Sequence, residues 1–166
     1  TASSTRAVAF GRYKSPGAND GTIDYITIAT QGDAVDFGDL AQGVDWPGSV
    51  GSRTRGVWGG GRTPSNVDNL QYVTIATAGN ATDGGNLTSA KREMTSGVSD
   101  STRGCFAGET LGGSDDIDYI TIASTGNAAD FGDLSDLSSA GAACSNAVRA
   151  IYNHGLSLIH ISEPTR

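Results

Sequence analysis

The chain has 166 residues, a length that fits one domain, with 24 glycines, about twice the usual share, and only 31 Ile, Leu, Val and Phe. So few large apolar residues would suit disorder, but a net charge of −7 is too modest for it, and the periodicity below argues for a folded array. Eleven Lys and Arg form no basic stripe, which excludes a nucleic-acid partner, and no apolar run approaches the roughly 20 residues of a membrane span.

The chain opens on Thr1 rather than Met, so its natural start is expected further upstream and the lack of a visible leader peptide carries little weight. The first predicted strand is "STRAVAFG" from Ser4. A second, "IDYITIAT" from Ile23, follows a polar segment, and a third, "VDFGDL", follows the turn "QGDA". The set then returns. "RTRGVWGG" from Arg53 leads to "LQYVTIAT" from Leu70, and "STRGCFAG" from Ser101 leads to "IDYITIAS" from Ile117. The central strands recur at intervals of 47 residues, and Ile23–Leu40 matches Ile117–Leu134 at 14 of 18 positions. A fourth strand is expected near "AGAACS" (140–145), ahead of a degraded copy, "AVRAIYNH", from Ala147. The only helical candidate is a single turn at "LTSAKREM", Leu87–Met94.

Alternation in "IDYITIAT" puts Ile23, Tyr25, Thr27 and Ala29 on one face and Asp24, Ile26 and Ile28 on the other. A half-solvated sheet would separate apolar from polar residues. Here both faces carry apolar groups, so the strand belongs to a sheet covered on both sides. One unit cannot cover its own faces, and repetition supplies the cover. Four short strands in about 47 residues predict an all-β chain of propeller blades spanning 1–155, with a β-solenoid as the alternative. Two blades are expected nearly whole and the others partial.

Residues 156–166, "LSLIHISEPTR", match nothing upstream. They read as the translation of a transposase-type sequencing adapter, an artefact to be set aside from the fold. That leaves His154 as the one natural histidine and implies a gene fragment cut within a repeat, with neighbouring blades lying outside it.

The doublet Gly59–Gly60, the tyrosines Tyr25, Tyr72 and Tyr119, and the aromatics Phe37 and Phe131 together resemble the kelch repeat. There a Gly-Gly pair is followed by Tyr and then Trp; the middle copy has glycine in place of the aromatic, and Phe10–Gly11 and Ala107–Gly108 are partial doublets. The wording of the repeat is also similar to repeats of marine tailed-phage structural proteins and their metagenomic relatives. These resemblances imply an open kelch-like β-propeller acting as a non-catalytic structural or binding module, in a phage tail or fibre or a secreted adhesive protein. The alternative is a piece of a kelch-propeller enzyme such as galactose oxidase, whose copper site needs several His and Tyr ligands and would lie outside this chain.

No residue set here is expected to be catalytic, to bind a cofactor or to hold a metal. Arg6, Arg55, Arg103 and Arg149 recur with the repeat, as do Asp24 and Asp118, with Gln71 between them; their expected role is pairing with carboxylates or carbonyls within and between blades. The acidic turns "GSDDID" (113–118) and "GANDG" (17–21) lack the alternating ligands and terminal glutamate of a calcium loop. Sequons at Asn80 and Asn86 are read as turn residues. Cys105 aligns with Val57 as a small core residue, and Cys105 and Cys144 form no metal-spaced set. The segments Arg12–Gly21, Gly61–Asn69 and Glu109–Asp116 diverge between otherwise constant strands. They are expected to crowd onto one face, and two readings of them stand: linkers that drift under no constraint, or a surface that meets a protein or glycan through Tyr13, Lys14 and Arg62.

Overall fold

A computed structural model describes residues 1–14, 18–92, 94–108, 114–137 and 141–153. Among them are 13 strands, every pair antiparallel, and no helix, hence none long and apolar enough to cross a membrane. Sheet one contains β1 (Arg6–Lys14), β2 (Ala18–Thr27) and β3 (Val35–Asp39). Sheet two is the meander β4 (Gly48–Gly51), β5 (Arg55–Gly59), β6 (Val67–Thr74) and β7 (Thr82–Lys91). Sheet three repeats it with β8 (Thr95–Ser99), β9 (Arg103–Ala107), β10 (Asp116–Thr121) and β11 (Ala129–Asp133). Sheet four has β12 (Ala142–Ser145) and β13 (Ala150–Asn153). None of the four sheets closes on itself.

Each arginine strand is entered through the same turn. Ser3, Ser52, Asp100 and Asn146 stand three residues before Arg6, Arg55, Arg103 and Arg149, and each side chain accepts the arginine's backbone N–H. The same residues donate their own N–H to the arginine carbonyl, closing the turn. Ser, Asp and Asn suit this position because a short polar side chain can satisfy the backbone locally. For the exposed Asp100, the N–H groups of Arg103 and Thr102 hold the carboxyl below its ordinary value.

A second device recurs at the end of each unit. The register between the last two strands of each of the first three sheets slips at Ile23/Asp24, Leu70/Gln71 and Ile117/Asp118, where a bulge holds one extra residue. The glycine of each bulge, Gly38, Gly85 or Gly132, has a φ of 144°, 111° or 130°, a region open to glycine and costly for other residues. Asp83 and Asp130 accept the N–H of the glycine two residues on. This accounts for the D-x-G pattern.

The sheets stack face on face, and the core lies between them. Val8, Ile23, Phe37 and Leu40 of the first unit meet Trp58, Val73 and Ile75 of sheet two. On its other face sheet two sets Val57, Leu70 and Leu87 against Phe106, Ile120 and Ile122. Sheet two is therefore covered on both sides, as the apolar content of both strand faces requires.

Three expectations need correction. Leu87–Lys91 is strand, the end of β7, because its backbone continues the ladder with β6 as far as Val67↔Lys91. The segment Arg12–Gly21 is not a loop throughout: a register shift between Phe10 and Arg12 lets β1 and β2 go on pairing to Lys14↔Ala18. Asn86 lies within β7 and is not a turn residue. The tail 156–166, His154 and the segment Glu109–Gly113 lie outside the described residues.

Candidate functional site

The repeated polar residues converge on the joints between sheets. Arg6 lies over the Tyr25 ring at 4.5 Å and donates from Nη1 to the carbonyls of Ile75 (3.2 Å) and Ala76 (3.0 Å) in the next unit. Arg55 does the same one unit later, 4.1 Å over Tyr72, donating to Ile122 (3.0 Å) and Ser124 (3.3 Å). The partners are carbonyls rather than carboxylates. A planar cation sandwiched between a ring and two carbonyls is held on all sides, which rigidifies the joint.

The Asp/Gln position works in the opposite direction. Gln71 Oε1 accepts the N–H of Ala41 (2.7 Å), just past β3, and its Nε2 donates to the Gln42 carbonyl (3.2 Å). Asp118 accepts from Thr88 N (3.2 Å) and Thr88 Oγ1 (2.6 Å), and lies 3.3 Å from the ammonium of the fully buried Lys91. The residue 47 places before Lys91 is Val44, also fully buried. At the two positions where one joint carries an amide and an apolar side chain, the next carries an ion pair.

The turn residues complete the joint. Gly79 N–H donates to Phe37 O and Ala81 N–H to Asp39 O; Gly126 and Ala128 repeat this with Gly84 and Asn86. Asn80 and Asn127 accept the N–H of Asp39 and Asn86 at 3.0 and 3.1 Å. A Cβ on Gly38 would stand 2.6 Å from the Gly79 backbone, and one on Gly85 would collide with Gly126.

A different arrangement lies at the far end of sheet two, where residues 60–66 join β5 to β6; the rest of the divergent segment Gly61–Asn69, from Val67 on, is already strand. The buried Asp45 accepts from Arg62 Nε (3.3 Å) and Nη2 (2.8 Å), and the two backbones form an isolated bridge. Arg62 in turn lies over the ring of Trp46 at 4.7 Å. Trp46 is 46% exposed and has a φ of 53°, unusual for a residue that carries a side chain. Arg62 belongs to one of the divergent segments; Trp46 and Asp45 escaped the repeat comparison because they fall between its two shared pieces. A lone "DWP" before a strand gives a turn signal but no hint of its partner. The side chains of Tyr13 and Lys14 lie outside the described structure.

Other candidates carry less chemistry. The carboxylates of Asp115, Asp116 and Asp133 come within 4.8 Å of one another, but Lys91 Nζ lies 3.8 Å from Asp116, and two of the three come from one acidic turn. Cys105 is half-buried and Cys144 exposed, both as free thiols, and burial pushes the Cys105 thiol above its ordinary value. No protein-family model matches the chain, and no curated protein is detectably similar to it.

Proposed function

We propose that the chain is a run of kelch-like β-propeller blades in an open arc, serving as a non-catalytic scaffold whose strand-joining segments recognise a protein or glycan surface. Antiparallel meanders packed face on face support blades over the coils of a β-solenoid, which pair in parallel through successive turns. Such a scaffold suits a virion fibre or a secreted adhesive protein.

The observation that carries the recognition role is the Trp46–Arg62–Asp45 stack. Arg6, Arg55, Gln71 and Asp118 are all engaged in holding one sheet to the next. Trp46 makes no such sheet-to-sheet bond among the described residues, yet its ring lies under Arg62 on a backbone at positive φ and is half-exposed beside a divergent segment. An amphipathic ring held half-exposed against an arginine that is itself anchored on Asp45 is a platform for the apolar face of a sugar, or for a protein surface. A glycan array and host-cell adhesion assay would compare the whole protein with its Trp46→Ala variant and with one in which 62–66 are Gly/Ser. Loss of binding at least tenfold in both is expected. Undiminished binding in both would reduce the segment to a linker.

A further inference from the structure

We propose that the groove between sheet three and β13 is a β-strand acceptor, and that its ligand is a β-hairpin carrying the repeat's own sequence, of the Ile117–Leu134 type, donated in trans. The proposal rests on reading the sheets as stacked repeats. The groove encloses about 290 Å³ and is walled by Arg103, Cys105, Ile117 and Phe131 on one side and by Ala150 and Tyr152 on the other. The equivalent place on sheet two, walled by Arg55, Val57, Leu70 and Tyr72, is closed to about 10 Å³ by Ile120, Ser124 and Gly126 of the next unit. The two sites share a wall and differ in the strand laid over it.

The backbone points to the same occupant. β5 pairs on both edges, with β4 and β6, and β9 likewise with β8 and β10. β13 occupies their place in the fourth unit and, among the described residues, pairs with β12 alone. An unpaired edge offers a ladder to an incoming strand. The pairings Val57↔Tyr72 and Cys105↔Tyr119 set the register, placing the donor's tyrosine opposite Ile151.

The side chains specify more than any strand. Arg103 lies 4.8 Å over Tyr119 and 5.7 Å over Phe131, but among the described residues it lacks the two carbonyls that Arg6 and Arg55 receive. Gly132 has the bulge conformation of Gly38 and Gly85, but among the described residues nothing stands where they meet the next unit's glycine. Phe131 is 52% exposed where Phe37 is 2%. The Tyr152 hydroxyl is buried with no hydrogen-bond partner among the described residues, and burial raises its pKa. A donor needs Ile-x-Ile to fill the groove, terminal carbonyls for Arg103, and a glycine turn to settle on Gly132. The repeat's own third and fourth strands combine all three.

A fluorescein-labelled peptide of Ile117–Leu134 would be titrated with the 166-residue chain and followed by anisotropy. Saturable binding is expected, with amides of Ala150–Asn153 gaining hydrogen-exchange protection. A peptide carrying I120D and I122D should bind at least tenfold more weakly, and Arg103→Ala in the chain should weaken the parent peptide several-fold. The proposal is overturned by absence of saturable binding, by equal binding of the Asp peptide, or by protection appearing at Asp24–Ile28 instead. Self-association of the chain that excludes the peptide would give the groove to a second copy and also overturn it. Failure here leaves the Trp46 test unaffected, because that site lies at the other end of the strands.

Discussion

The central strands of the first and second units are nearly the same sequence in different surroundings. Val73 and Ile75 are 3% and 1% exposed beneath sheet one, whereas Ile26 and Ile28, their counterparts, are 44% and 52% exposed on its outer face. The same contrast separates Arg55, clamped by two carbonyls, from Arg103, which is exposed. Chemistry is constant and occupancy is not. In such an array a residue's energetic weight depends on whether a neighbour stands over it, so equivalent substitutions should have unequal effects.

The sharpest way to break this contrast is at the bulge glycines. Gly85→Ala adds a Cβ against the Gly126 backbone at a φ reserved for glycine, and should cost about 4 kcal/mol as strain and overpacking combine. Gly132→Ala has the same φ problem with open space around it, and should cost about 1 kcal/mol. Native-state hydrogen exchange of β6 and β10 amides reads both; equal losses would mean that the joint is not closely packed.

The ion-pair joint comes next. Asp118→Ala strips the nearest carboxylate from a fully buried Lys91 and should cost about 3 kcal/mol by the same measurement. The double change Lys91→Val with Asp118→Gln recreates the Val44 and Gln71 pairing of the preceding joint and should recover most of that loss. If the double variant is no better than the single one, the two joints are not equivalent.

Removing apolar contact sharpens the comparison further. Ile122→Ala should lower stability by about 2.5 kcal/mol, while Ile28→Ala, on the outer face, should change it by about 0.3 kcal/mol. The smallest effect concerns the arginines. Arg55→Ala should cost about 1 kcal/mol through its ring and carbonyl contacts, and Arg103→Ala less than half of that. Strand-resolved exchange would expose the difference; a larger effect at Arg103 would contradict the contrast.

Much of the joint was legible beforehand. The recurrence of Arg6, Arg55 and Arg103 marked them as structural, and two-sided apolar strands announced stacked sheets. The strand expected near 140–145, ahead of the next arginine strand, is present as β12, Ala142 to Ser145. The β7 extension was hidden because "LTSAKREM" has residues that favour helix, and its strand form depends on pairing with Val67. Asp45, Trp46 and Arg62 gave no periodic signal, since nothing repeats them.

What the sequence determined by itself is therefore local: four strands per unit, the turn ahead of each arginine, and glycine wherever the bulge demands a left-handed φ. Each follows from hydrogen bonds and steric limits acting over a few residues. Tertiary structure decided which of two nearly identical faces is covered, which carbonyls an arginine reaches 67 to 70 residues away, and that Arg62 comes to lie over Trp46. Those outcomes depend on which sheet stands next to which, and contacts between sheets are set by packing that no short stretch of chain encodes.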